Sequence, residues 1–228
     1  MKHVLCLAVA GLLCAATALA QDPVKVDPKH HKVEFEDNQV RVLRITFAPG
    51  EKAVTHSHPN AVAVFLTDST LKQNVSAGSV PEGPRKAGDV RWTEPFTHTP
   101  ENTGTAPTEV ILIEFKQKPA VMKAAKTEKE NEDDSTKLDP KHYKMEMEND
   151  HARMIRVRYG PGEKSVMHSH PRLIAINLSG GNFAFTLPDG TTRESPGKPG
   201  DVNVMSAESH LPQNHGDSPS EVILVEPK

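Results

Sequence analysis

Apolar and polar residues alternate along much of this chain with the two-residue period of a strand that buries one face. Val40-Arg41-Val42 and Ile45-Thr46-Phe47 both show it, because successive strand side chains point to opposite sides. Two denser runs, Ala61 to Leu66 (AVAVFL) and Val110 to Phe115 (VILIEF), are apolar and of strand length. Val110–Phe115 and Val222–Val225 are the candidates for buried or interfacial strands. Turn signals punctuate these runs: Pro49-Gly50, Glu82-Gly83-Pro84, Ala87-Gly88-Asp89, Pro188-Asp189-Gly190 and Pro199-Gly200-Asp201. Many short strands separated this way predict an all-β sandwich or barrel.

The pattern occurs twice. Asp27-Pro28-Lys29-His30 returns as Asp139-Pro140-Lys141-His142, and Pro49-Gly50-Glu51-Lys52 as Pro161-Gly162-Glu163-Lys164. His56-Ser57-His58-Pro59 returns as His168-Ser169-His170-Pro171, and Glu109-Val110-Ile111-Leu112 as Glu221-Val222-Ile223-Leu224. Every pair is 112 residues apart. A period this long marks a duplicated domain rather than a solenoid. The expected order is a leader over residues 1–20, a first barrel over 21–116, a linker over 117–138 and a second barrel over 139–228. Gln117 to Leu138 is charged and nearly free of aromatics, too polar to bury a core of its own. A short helix near residues 120–130 fits its Ala, Lys and Glu content.

Composition narrows the partners. The 228 residues carry 27 Lys+Arg against 30 Asp+Glu, a net charge of −3, which is no footprint for nucleic acid. The N-terminus carries Lys2, an apolar run from Val4 to Ala16, and Ala18-Leu19-Ala20 before Gln21. That is the layout of a cleaved signal peptide, with an apolar run shorter than the ~20 residues that span a bilayer. It predicts an exported, periplasmic or secreted protein that leaves the membrane after cleavage. Both cysteines, Cys6 and Cys14, fall inside the leader. The expected mature chain therefore relies on histidine, carboxylate and water for metal chemistry.

Histidine supplies the candidate chemistry. His56 and His58 are two apart, so on a strand both imidazoles project from one face toward a common point. His98 lies forty residues on, where a returning strand can bring a third ligand, and His168, His170 and His210 repeat the set. This predicts one divalent transition metal per domain, with iron, zinc, manganese, nickel and copper all compatible with imidazole. Iron is the expected ion if the protein is catalytic. His30, His31, His142, His151 and His215 lack such spacing and are read as surface or strand-edge residues, structural or neutral.

With these residues the chain resembles the cupin superfamily, and in particular its two-domain bicupins. Gly50 before His56-Ser57-His58, and Gly162 before His168-Ser169-His170, match the first cupin motif. Gly88, Pro95, His98 and Asn102 match the second, as do Gly200, His210 and Asn214 with the Pro replaced. The resemblance covers nearly all of the expected mature chain except the linker. It implies two tandem jelly-roll β-barrels, each with a metal inside its mouth. The chain departs from the pattern where the family supplies a Glu ligand, since Ala61 and Leu173 stand there. Three neutral imidazoles leave the ion its full charge and make bound water more acidic.

Around the ligands the copies diverge. Trp92, Glu94 and Glu101 in the first face Val204, Ser206 and Gln213 in the second, and Arg172 lies beside the second His-x-His. Glu94 is the candidate general base, which makes the first copy the expected catalytic one. Arg172 is a candidate for attracting an anion or for a place on the rim. The leading function is a metal-dependent oxygenase of a small organic substrate. The alternative is a barrel that binds a small ligand, a sugar or carboxylate, without turnover, and a homodimer is compatible with either.

Overall fold

The computed structural model describes residues 21–80, 83–116 and 132–228. The expected leader, both cysteines and the expected helix near 120–130 lie outside these residues. Each copy opens with one helical turn, α1 (Pro23–Val26) or α2 (Ser135–Leu138), capped by Asp22 or Asp134. Thus the end of the segment read as linker packs on the second barrel. Ser169 donates its amide to the Asp133 carbonyl, as Ser57 does to Gln21. The duplication therefore begins earlier than its first shared motif.

In the first barrel, β1 (His31–Glu36), β2 (Val40–Phe47), β10 (Thr108–Phe115), β4 (Ala61–Phe65) and β7 (Val90–Thr93) form an antiparallel sheet in that order. A smaller sheet closes over it, of β3 (His56–His58), β8 (Phe96–His98) and β6 (Val75–Ala77), beside the short pair β5 (Leu71–Lys72) and β9 (Glu101–Asn102). The second barrel repeats the large sheet with β11 (Tyr143–Glu148), β12 (Ala152–Tyr159), β19 (Ser220–Pro227), β14 (Leu173–Asn177) and β17 (Val202–Met205). Its closing sheet is larger: β13 (His168–His170), β18 (Glu208–Asn214), β15 (Gly181–Thr186) and β16 (Thr192–Gly197). The β15–β16 hairpin has no equally regular counterpart among the described residues of the first copy. It makes the second barrel the roomier one.

Both faces of the large sheets are buried, which is why β4 and β10 lack polar alternation. Val110 and Leu112 face the first barrel's interior with Leu43, Ile45 and Phe47. Ile111, Ile113 and Phe115 face the other way, into a core shared with Met154, Ile174, Ile223 and Val225 of the second barrel. The expected interfacial strands are therefore the ones that join the barrels. Reciprocal hydrogen bonds frame this core: Arg44 donates to the Gly200 carbonyl and Arg156 to the Gly88 carbonyl, both at 2.7 Å. Each pair is related by the 112-residue offset, so the contact has pseudo-twofold symmetry. Gly88 and Gly200 sit in turns at φ of 86° and 84°, a conformation that excludes most side chains.

The same symmetry places Arg172. Its guanidinium donates to Gln39 at 2.8 Å and Asp37 at 2.6 Å in the first barrel. Asn60 makes the matching contact with His151. Arg172 thus ties the barrels together instead of facing a ligand.

Candidate metal centres

Strand pairing brings the predicted histidines together in both copies. His56 on β3 lies directly opposite His98 on β8, and His168 on β13 opposite His210 on β18. His58 and His170 follow two residues on, facing the same way. All six are buried. Nε2 of His56 and Nε2 of His98 stand 2.9 Å apart, and those of His168 and His170 stand 3.1 Å apart.

In all six rings the other nitrogen, Nδ1, is committed. His56 donates to the Val54 carbonyl at 2.7 Å and His168 to that of Val166 at 2.9 Å. His98 donates to Gln73 at 2.9 Å and His210 to Glu208 at 3.0 Å. His58 donates to Glu114 at 2.7 Å and His170 to Glu226 at 2.9 Å. A neutral imidazole holds one proton, so these acceptors leave every Nε2 bare, its lone pair turned to its neighbours. Facing lone pairs repel unless a cation lies between them. Two nitrogens each ~2.1 Å from one ion would be about 3.0 Å apart at right angles and about 3.4 Å apart at the tetrahedral angle, close to the spacing seen. The donor sets fit a divalent transition metal in each barrel.

Behind each centre runs a buried chain of charge. Arg41 donates to Glu114 at 2.6 Å and to Asp22 at 3.0 Å. Arg153 joins Glu226 at 2.8 Å and Asp134 at 3.0 Å. Strand period explains the convergence, for Glu114 continues the inward row of Val110 and Leu112, and Arg41 that of Leu43 and Ile45. Glu114 pairs across the sheet with Ala61, the position where a ligand carboxylate was expected. The carboxylate is thus present, but it holds the ring of His58 and orients it. Burial pushes the Glu114 carboxyl up, and the Arg41 guanidinium opposes that shift. A lone Glu closing an apolar strand in both copies, matched by Arg41 and Arg153, was the signal for these residues.

Burial also favours the neutral form of His56, His58, His98, His168 and His210. It lowers His98 to about 2, His168 to about 3 and His210 to about 4, with neighbouring rings adding to the effect. The unfolded chain binds these protons near pH 6.5, whereas the native chain refuses them until about pH 4 or below. Between those values the unfolded state binds more protons, so stability rises with pH and falls as pH drops. Chelator-treated protein should therefore show a lower urea midpoint at about pH 5 than at about pH 7. Equal midpoints would count against neutral buried rings.

The cavities above the two centres differ. In the first barrel the space is about 70 Å³, lined by His31, His58, His98, Phe47 and Phe96. In the second it is about 540 Å³, reaching His170 and His210 and walled by Tyr143, Phe183, Phe185 and Met205. Arg193 and Glu208 line it too, joined by two hydrogen bonds of 3.0 and 2.8 Å. The larger cavity thus lies in the second copy, whereas the first was the one expected to be catalytic. Glu94 does not line the first cavity; it is exposed and accepts a hydrogen bond from Trp92 at 2.6 Å. Strand alternation turns Thr93 inward and Glu94 out. Glu101 likewise lies outside the first cavity, near Lys52.

The remaining histidines divide. His30 and His142 each bond an Asp three residues earlier and stack on Phe47 or Tyr159. His151 packs at the inter-barrel seam and His215 is exposed near Glu194. His30 and His142 are thus buried, not at the surface or a strand edge where they were expected. His31 is buried too, and its ring lies edge-on to His56 with centroids 4.6 Å apart. The second copy has Tyr143 at that position, so no repeated spacing pointed to it.

No family model matches this sequence, and no curated protein matches it. Solved structures do match by shape. AerE from Microcystis aeruginosa is 13% identical at a TM-score of 0.62, over 92% of this chain and 97% of that one. A cupin 2 conserved barrel domain protein from Leptotrichia buccalis is 14% identical at a TM-score of 0.55, covering 87% and 88%. Salicylate 1,2-dioxygenase from Pseudoaminobacter salicylatoxidans, solved with gentisate adducts, is 12% identical at a TM-score of 0.55, covering 82% and 68%. The likeness establishes the fold as two cupin barrels in one chain.

Proposed function

We propose that this is an exported metalloprotein whose second barrel is a metal-dependent oxygenase site for a small organic substrate. One observation carries the reading: the ligand atoms of His168, His170 and His210 converge, and His170 and His210 open onto a cavity of about 540 Å³. Such a volume suits a small organic molecule. The dioxygenase among the similar folds supports the reaction class, and the signal-like residues 1–20 support export. Fold alone does not fix chemistry, so the argument rests on the site.

Iron held by His168, His170 and His210 would supply the redox chemistry that dioxygen needs, its charge undiminished by the neutral ligands. The chain supplies positioning. Leu173, Phe183, Phe185, Met205 and Leu224 wall the cavity and hold the apolar part of a substrate away from water. Tyr159 donates its hydroxyl proton to Tyr143 at 3.2 Å, leaving the Tyr143 proton free to donate toward an occupant. Burial pushes the Tyr143 phenol up, so it remains a donor at neutral pH. Arg193, stacked 5.5 Å above Phe185, offers a guanidinium to an anionic group while Glu208 bridges it to His210.

Protein reconstituted with ferrous iron, challenged with small aromatic and aliphatic acids under labelled dioxygen, tests this. Uptake of label into product by the wild type, reduced in a Tyr143→Phe or Arg193→Gln variant, is the expected result. Saturable binding of such acids with no oxygen consumption would instead favour the ligand-binding barrel.

A further inference from the structure

The two metal sites are built from one plan, yet one position in that plan differs. Position 31, where β1 begins, is His in the first barrel; its counterpart, position 143, is Tyr in the second. His31 is 2% exposed and lies with its ring centroid 4.6 Å from His56 and 6.0 Å from His58. Its Nδ1 donates to the Asp27 carbonyl at 3.0 Å, which leaves Nε2 bare as in the six predicted rings. Ligand atoms of His31, His56 and His58 lie within 4.8 Å of one another. His98, through its 2.9 Å approach to His56, completes a group of four imidazoles. The cavity beside them measures about 70 Å³, whereas Tyr143 stands in one of about 540 Å³.

We propose that His31 is a fourth protein ligand in the first barrel, making that site coordinatively closed while the second keeps an open position. The inference rests on reading the histidine clusters as metal sites. Four protein ligands with little adjoining space are the mark of a structural centre, and three with a cavity that of a reactive one. Position 31 lies on the strand adjoining β2, opposite Ile45, so the fourth ligand comes from outside the paired motifs. It stands in for the carboxylate that Ala61 does not provide. Duplication followed by a single His-to-Tyr or Tyr-to-His difference would then separate a metal that holds a fold from one that meets a substrate.

Azide added to cobalt-loaded protein shifts the visible spectrum where it can replace a bound water and leaves it unchanged where protein ligands close the site. The full-length His168→Ala/His170→Ala variant isolates the first site, and His56→Ala/His58→Ala isolates the second. The spectrum of the first site should not respond to azide, and His31→Tyr should make it respond and lower cobalt affinity by about a hundredfold. The spectrum of the second site should respond to azide, and Tyr143→His should abolish that response. Cobalt retained at the second site of the His31→Tyr chain verifies that the variant is folded. X-ray absorption of the zinc-loaded first site, counting four imidazoles rather than three, needs no substitution at position 31. An unchanged azide response and affinity in His31→Tyr, or a count of three, overturns the proposal while leaving both metal sites standing. Failure of either site to bind cobalt or zinc would instead remove the reading beneath it.

Discussion

Replacing His168 and His170 together by alanine should abolish turnover, lowering it by roughly a thousandfold or more, and remove one metal equivalent per chain. The matching change at His56 and His58 should remove the other equivalent yet leave turnover within a few-fold of wild type. The asymmetry follows from space: both centres offer buried, correctly oriented imidazoles, but the room for a substrate lies in the second barrel. Elemental analysis alongside steady-state oxygen uptake measures both effects on the same samples. Equal loss of activity from the two double variants would mean that the first centre also takes part in the reaction.

Glu226→Ala should cost about 3–5 kcal/mol of stability in the metal-free protein, the range for breaking one side of a buried ion pair. Its carboxylate has a side chain only 2% exposed and bonds both Arg153 and His170. Removing it leaves Arg153 buried with Asp134 as its near partner and leaves the Nδ1 proton of His170 without its acceptor. The His170 ring then loses its fixed tautomer and orientation, so metal affinity at the second site should fall 10–100-fold. Glu114→Ala should act in the same direction at the first site with a smaller stability cost, since the Arg41 side chain is 15% exposed against 6% for Arg153. Urea titration and competitive metal binding read the two effects separately. A stability loss under ~1 kcal/mol would show that water replaces the carboxylate without penalty.

The sequence was most informative where chemistry was repeated. Strand alternation, turn residues and the 112-residue offset together announce two barrels, and the His-x-His pairs with His98 and His210 announce the centres. Repetition also carried Glu114 and Glu226, but they stand inside apolar runs that read as core, and only the sheet register turns them toward His58 and His170. His31 and Tyr143 were hidden for the opposite reason, because the copies differ there and the residues reach the site through β1 and β11 rather than through a motif. Glu94 was misplaced by proximity along the chain: four residues before His98, it projects from the opposite face. Cavity size was beyond composition altogether, since it depends on the β15–β16 hairpin and on which aromatic rings fill the barrel.

The central claim is that each barrel holds one metal ion on its buried histidines. Its most direct test is the metal content of full-length protein purified without chelator or metal-affinity resin, then dialysed against iron, zinc, manganese or copper. Two equivalents of bound metal per chain, retained through gel filtration, is the predicted result. A chain that emerges empty and takes up none of these ions would contradict it.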